Sequence, residues 1–403
     1  MYALSAPKQL TILLLFFLLI FSVEGYGKKN STQPESASIL SSKQLHDLSK
    51  FDGKSSKILK QLYLSDDKGA AAISSALAKL NEKDKELNDN YKVLVNKAKA
   101  SKVKAKISSK TAKANTSNNS TIKSSTTNTA ASSKEQLEQE LQVIAAQKMH
   151  LVNALTKTNS SDMVAQLIAA ADSANPNALL HKTVFSKLLD IGPNETAKNY
   201  AIQIINDPES GGFQVYNALL YFAYHNEPNI LDKVREYTNP DYHPYIRDMA
   251  AFVLGRWGNS SDTSIILTAI QKSVADKMGS HSLRYSVFGL ASLVSPEKVE
   301  ELLQGLNIKN DIVQTAILHA KLEEAKSDQE FSQLFKNNQG KANELTLLVV
   351  ADYVVRNGPT VLIELELIEE HDGNLYSPVS QSLYRMGYSL VGTAASPNLE
   401  PVN

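Results

Sequence analysis

Between positions 179 and 370, apolar residues fall in short blocks at helical spacing, and the blocks pair across turns. The clearest pair runs Ile246-Arg247-Asp248-Met249-Ala250-Ala251-Phe252-Val253-Leu254-Gly255, turns at Gly258-Asn259-Ser260, and resumes at Ile265-Ile266 and Ala269. Thirty-seven positions on, the pattern returns as Leu283-Arg284, Val287-Phe288 and Ala291, a turn at Ser295-Pro296, then Leu302-Leu303 and Leu306. Weaker copies flank these two. Val184-Leu188-Leu189 answers Ala197-Ala201-Ile204-Ile205, and Tyr216-Leu219-Leu220 answers Ile230-Leu231-Val234. Ile312-Val313-Ala316-Ile317 answers Phe331-Leu334-Phe335, and Leu347-Leu348-Ala351-Tyr353-Val354 answers Val361-Leu362-Leu365-Ile368. Gly, Pro or Asn breaks each pair. Repeats of this length predict stacked helical hairpins, none able to bury its apolar face without a neighbour. Val361 to Leu367 also alternates like a strand, but its context assigns it to helix. Ser377 to Val391 is expected to close the array as a helix.

Two segments ahead of the repeats carry a different stripe. Ile73, Leu77, Leu80, Asp84, Leu87, Tyr91 and Leu94 step by fours and threes, as do Leu137, Leu141, Ile144, Lys148, Leu151 and Leu155. Both match the 3.5-residue period of a helical seam. Each holds one charged intruder at the same place, Asp84 in the first and Lys148 in the second. The expectation is a helical hairpin or an oligomeric bundle, parallel or antiparallel, with register set by this pair; the alternative leaves both residues at a wet edge.

The stretch between the stripes is low in complexity, Lys-rich and then rich in Ser, Thr and Asn, and reads as a disordered linker. Eight lysines and no acid lie between Lys92 and Lys113, although the whole chain balances 42 basic residues against 42 acidic ones. Lys99, Lys102, Lys104 and Lys106 are therefore candidates to hold an anionic surface, lipid headgroups or cell-wall polymer, or else a solvated tail. At the N-terminus, Lys8 precedes an apolar run from Leu10 to Val23, and Val23 and Gly25 suit the −3 and −1 positions of a cleavage site before Tyr26. Fourteen residues reach about 21 Å as a helix, short of the ~30 Å hydrocarbon core. A cleaved secretory signal is expected, with an uncleaved inner-membrane anchor as the alternative. The chain has no cysteine, which suits a large helical protein in a bacterial periplasm better than a disulfide-stapled animal one. The expected divisions are a signal peptide at 1–25, a disordered lead at 26–40 and amphipathic helices at 41–98. The linker at 99–133, a second seam helix with entry to the repeats at 134–172, the repeats at 173–391 and a tail at 392–403 follow.

The span His243 to Leu306 resembles HEAT repeats of the phycobilisome-lyase type, which often read Arg-x-x-Ala-Ala-x-x-Leu-Gly. Arg247, Ala250, Ala251, Leu254 and Gly255 stand in those places, while the second copy keeps Arg284 and departs at the glycine. The resemblance covers about 65 residues and implies an all-α, right-handed α-solenoid whose concave face is lined by the second helix of each pair. It does not imply lyase activity, because the repeat is a scaffold.

Catalytic signatures are missing. Gly53-Lys54-Ser55 lacks the glycine a phosphate loop needs at position 48, which is Leu48, and there is no Gly-x-Ser-x-Gly or His-Glu-x-x-His. His319 and Glu323 lie one turn apart, where a metal edge or a plain hydrogen bond would fit. No cofactor, metal or nucleic acid is expected. Ten of the twenty-eight aromatic residues fall between Phe213 and Trp257. About half are expected in the core, leaving Tyr224, Tyr237, Tyr242 and Trp257, near turns, as candidates for a protein interface. Arg247 and Arg284 are expected to bridge neighbouring repeats. The leading expectation is an exported, non-enzymatic scaffold that binds protein in a solenoid groove, with possible self-association through the N-terminal helices, in an envelope assembly such as a secretion machine. The alternative is an enzyme or enzyme accessory acting on cell-wall or lipid polymer.

Overall fold

Paired apolar blocks become paired helices because each block is one helical face long and ends at a residue that cannot continue it. The computed structural model describes residues 66–112, 126–155, 161–171 and 178–402 except 279 and 342, with residues 44 and 57 in isolation. The segment expected to be a signal peptide, the lead and the core of the expected linker lie outside the described residues. Three helices come first: α1 (Asp66–Ala112), α2 (Thr126–Ala154) and α3 (Ser161–Ala171). Six pairs follow: α4 (Ala178–Asp190) with α5 (Glu195–Asn206), α6 (Gly212–Tyr224) with α7 (Leu231–Tyr237), and α8 (Pro244–Trp257) with α9 (Thr263–Ala275). The last three are α10 (Ser280–Ala291) with α11 (Pro296–Leu303), α12 (Asn310–Glu324) with α13 (Asp328–Lys336), and α14 (Glu344–Asn357) with the single turn α15 (Val361–Glu364).

The first helices of the pairs pack on one another in sequence, α2 on α4, α4 on α6, and so on to α14. Most of the second helices pack chiefly against the first helix of the following pair. The first helices also touch across the row. Arg256 on α8 holds Asp352 on α14 through both Nη atoms, at 2.6 and 2.9 Å, and Arg284 on α10 reaches Glu344 on α14 at 2.7 Å. The first helices are therefore the inner layer, which reverses the placement implied by the HEAT resemblance. The tightness comes from two glycines. A Cβ on Gly255 would lie 2.2 Å from the Gly289 backbone, and one on Gly289 would lie 2.5 Å from the Ala251 carbonyl. With no side chain at either place, the α8 and α10 backbones approach closely.

The two stripes pack inside one chain as an antiparallel hairpin. Tyr91 donates to Glu138 at 2.9 Å, and Lys148 Nζ lies 2.5 Å from Asp84 Oδ2, both residues being buried. The hairpin is continuous with the repeats, since α2 and α3 pack directly on α4. The linker expected at 99–133 is shorter than its composition suggested. α1 carries on helical to Ala112 and α2 begins at Thr126, leaving only 113–125 outside the described residues. Lys and Ala are good helix formers even where no apolar stripe recurs.

The C-terminal expectations fail in an instructive way. Instead of one helix over 377–391 and a tail, there is a hairpin of β1 (Glu369–His371) and β2 (Asn374–Tyr376), a short α16 (Ser380–Arg385), and a second hairpin of β3 (Tyr388–Thr393) and β4 (Ser396–Pro401). Asp372 and Gly373 both take positive φ, 52° and 72°, as a two-residue hairpin turn requires. Gly387 at φ 94° stops α16. The strand-like alternation of 361–367 forms no strand: α15 is one turn, and the chain leaves it through Glu366 at φ 57°. α16 lies against both α4 and α14, joining the first pair to the last.

Arg247 is fully buried and serves mainly its own pair. Its Nη2 donates to Ser273 and Asp276 at the end of α9, at 3.0 and 2.8 Å, and Nη1 donates to the Pro240 and Tyr242 carbonyls in the turn before α8. Arg284, in contrast, bridges to α14, skipping the α12 pair. Next to Arg247, the Asp248 carboxylate is buried and accepts hydrogen bonds from Ser273 and Ser282. Desolvation pushes its pKa up despite those hydroxyls and the neighbouring guanidinium. Among the described residues, no helix is long and apolar enough to cross a membrane.

Candidate functional site

Because the inner helices run side by side, their C-terminal ends gather at one end of the row. A cavity of about 690 Å³ opens there, within the usual size range for a bound small ligand or side chain. Its wall takes Tyr221, Tyr224 and His225 from the end of α6, Gly255, Arg256 and Trp257 from α8, and Ser292 after α10. Glu323 comes from α12, and Asp352, Val355 and Arg356 from α14. The turn after α4 contributes Pro193 and Asn194, the first turn of α5 adds Glu195 and Lys198, and the C-terminal segment closes the ring with Met386 and Tyr388.

That closure rests on a few contacts of long sequence separation. Arg385 on α16 donates through Nε and Nη2 to Asp190 Oδ1 at the end of α4, at 3.1 and 2.8 Å, and Gln381 donates to the same oxygen. The Arg385 guanidinium also lies over the Tyr224 ring, 5.3 Å from its centroid. Gly192, at φ 77°, passes 3.2 Å (measured from an ideal Cβ) from the Tyr384 carbonyl, so a side chain there would be strained and crowded at once.

Most charged groups on the wall are already matched within it. Arg256 takes Asp352, Arg356 donates to Glu323 at 2.6 Å, and Lys198 lies 2.8 Å from Glu195. Burial pushes the Glu323 carboxyl up, but the His319 imidazole beside it and the Arg356 guanidinium outweigh that and hold it at about 2. His319 itself is buried against the Phe288 ring, 3.5 Å between centroids, and desolvation lowers its pKa, so at neutral pH it is uncharged. His225 is lowered for the same reason, with the Tyr221 and Arg385 carbonyls facing its ring nitrogens. An acid–base pair needs two groups whose pKa values are driven apart around the working pH. Glu323 stays ionised and these histidines stay neutral. Asp248, the carboxyl pushed upward, does not line the cavity. Among the described residues there is also no group of three His, Asp or Glu placed to hold a metal.

The four aromatic interface candidates divide evenly. Tyr224 and Trp257 line the cavity, the indole donating to the Phe222 carbonyl at 2.6 Å and carrying the Arg256 guanidinium 4.9 Å over its ring. Tyr237 is instead 4% exposed, its hydroxyl donating to the Ile205 carbonyl at 2.8 Å, and Tyr242 packs edge-on against it at 5.0 Å. Proximity to a turn misled because the last residue of the short helix α7 turns back onto the preceding pair, where Tyr237 meets Ile205. Lys99 is exposed on α1, and Lys102, Lys104 and Lys106 follow on the same helix. The sequence reading missed Arg256, Asp352, Arg356, Tyr388 and the Asp190–Arg385 clasp. One local signal was available: Asp372-Gly373 marks a hairpin and so a C-terminal segment free to fold back.

Comparison of this chain with protein-family models, with curated proteins and with solved structures returns no match in any of the three.

Proposed function

We propose that this chain is a non-catalytic binding scaffold of the exported type, a right-handed HEAT-like solenoid whose cavity receives a segment of another polypeptide. One observation carries the reading. The cavity wall combines aromatic rings with charged side chains that are largely neutralised against each other, so it offers shape and polar contacts. Tyr224, Trp257 and Tyr388 supply the large, semi-polar surfaces on which peptide recognition commonly rests. Export rests on the apolar run from Leu10 to Val23, and a place in an envelope assembly rests on that export in a chain without cysteine. The lysines at 99–106 would add a weaker contact with anionic lipid or wall polymer.

The convergence of Glu195, Glu323, Asp352 and His225 on one cavity is what an enzyme or accessory acting on wall polymer would also need. The ion pairs argue against it, since a carboxylate fixed by an arginine fork is a poor general acid.

The test is a photo-crosslinking amino acid placed at Tyr388 in the wall, with exposed Tyr376 as control, in the native host. The scaffold reading expects a discrete polypeptide adduct at Tyr388 and none at Tyr376. Carbohydrate adducts alone would transfer the case to the polymer reading. Mass measurement of the same material checks export, which predicts a mature chain starting at Tyr26.

A further inference from the structure

We infer that the cavity recognises a cation, the ammonium or guanidinium of a lysine- or arginine-bearing segment of the partner polypeptide. The inference rests on the scaffold reading and names the chemistry of what enters.

Side-chain charge does not decide the sign of the field in this cavity. Lys198, Arg256 and Arg356 on the wall are offset by Glu195, Glu323 and Asp352. Just behind it, Arg385 is offset by Asp190. Burial lowers the His225 pKa, which favours its uncharged form.

The backbone is not offset. Six helices, α4, α6, α8, α10, α12 and α14, end at or just before wall residues. Each helix C-terminus carries the equivalent of about half a negative charge. One N-terminus, that of α5, faces them, and its first amides are already taken by the Asn194 side chain, at 3.0 and 3.1 Å. Six C-termini against one capped N-terminus leave the cavity negative.

The same ends supply acceptors. The last turn of a helix leaves carbonyls without intrahelical partners. The chain's own donors satisfy some of them: Trp257 takes the Phe222 carbonyl, His225 that of Tyr221, Gly258 that of Leu254 and Gly358 that of Val354. An ammonium with three donors, or a guanidinium with five, and with no acceptor to leave unmatched, suits such a rim. The wall also uses cation-on-ring contacts itself, Arg256 over Trp257 and Arg385 over Tyr224. Tyr388 is half-buried and carries no such cation, so it offers a ring to the incoming group. Of the wall's two guanidiniums, Arg256 has both Nη atoms on Asp352 and Arg356 gives Nη2 to Glu323, so each is already paired with a carboxylate.

The experiment measures binding of three fluorescent peptides to the purified full chain. They share one Gly/Ser-spaced sequence bearing Lys, Gln or Glu, and spermidine serves as a small-cation competitor. Two variants, Ser292→Asp and Ser292→Lys, change the charge of the wall at a half-buried position just past α10. Melting curves first establish that both fold. The Lys peptide is expected to bind tightest, with affinity rising about three- to tenfold in Ser292→Asp and falling by as much in Ser292→Lys. Preference for the Glu peptide, or opposite responses of the two variants, overturns the inference. Equal binding of Gln and Lys peptides overturns it too, yet leaves the scaffold reading standing. Spermidine binding without any peptide binding upholds a cation site and overturns its polypeptide occupant. If nothing binds, the inference fails, while the Tyr388 crosslink decides the scaffold reading separately.

Discussion

Removing the Lys148 amine should be far more damaging than removing its whole ion pair. Lys148 and Asp84 are 0% and 7% exposed, and the amine lies 2.5 Å from Asp84 Oδ2. Asn88 donates to Asp84 Oδ1 at 2.9 Å. Lys148→Met keeps most of the volume but leaves a buried carboxylate with only Asn88 and little water. Loss of one partner from a buried pair costs about 3–5 kcal/mol. The amide already on Asp84 places this case near the lower figure. Asp84→Leu strands the ammonium instead, but desolvation already lowers the pKa of Lys148, so the amine can shed its proton and soften the loss. The double variant removes both charges from two stripes whose neighbouring positions, Leu80, Leu87, Ile144 and Leu151, are buried and apolar. It should lie within about 1 kcal/mol of the parent or above it, because well-packed apolar replacements of buried pairs are often neutral or stabilising. Urea melts of the full chain and the three variants give the coupling directly. Additive losses, with a coupling below about 0.5 kcal/mol, would refute the argument that the pair is buried and mutually dependent.

Three further outcomes follow from the fold. Gly255→Ala gains about 1 kcal/mol of helix propensity, yet its methyl would meet the Gly289 backbone at 2.2 Å; backbone cannot swing aside, so thermal melting should show a net loss of about 1–3 kcal/mol, and a variant melting above the parent would sink the close-crossing account. Asp248 has its pKa raised in the folded state, so its contribution is favourable at low pH and is lost as pH rises through the folded value. Asp248→Asn should therefore gain stability relative to the parent at pH 8 compared with pH 4, and a pH-independent difference between the two melts would contradict this. Glu323, held at about 2, contributes stability above its unfolded pKa that is lost as pH falls towards 2, at most about 3 kcal/mol; Glu323→Gln should flatten the acid limb of the stability curve, and an unchanged acid limb would remove Glu323 from the account.

The helix pairs were readable in the sequence because each one is a local pattern: apolar spacing, then a Gly, Pro or Asn break. The meeting of Asp84 and Lys148 was also readable, as the same place in two matched stripes. Which helix of each pair lies inside was not. That depends on contacts between distant first helices, such as Arg256 with Asp352, and on the close approach at Gly255 and Gly289, which occupy different places in the two repeat copies. The cavity was still less accessible. Its wall joins residues from five helices, the turns between them and a returning strand, and Asp190 and Arg385 are 195 positions apart. Tyr237 shows the opposite error, since a residue near a turn in sequence is buried against the preceding pair in space.

The clasp between Asp190 and Arg385 changes how such a molecule comes into being. An open array of helix pairs completes each unit as it is made, and its end units fray first because each lacks a neighbour on one side. Here the first pair is incomplete until residues near 385 have left the ribosome, well over a hundred positions after its own helices. At synthesis rates of about 5–20 residues per second, that delay is on the order of ten seconds or more. During this interval the end of α4 is uncovered, and a nascent chain shortened before α16 keeps that exposed end indefinitely. Joining the two ends also couples the outermost units to each other, so the finished protein has no free end unit at its C-terminal side from which unravelling can begin.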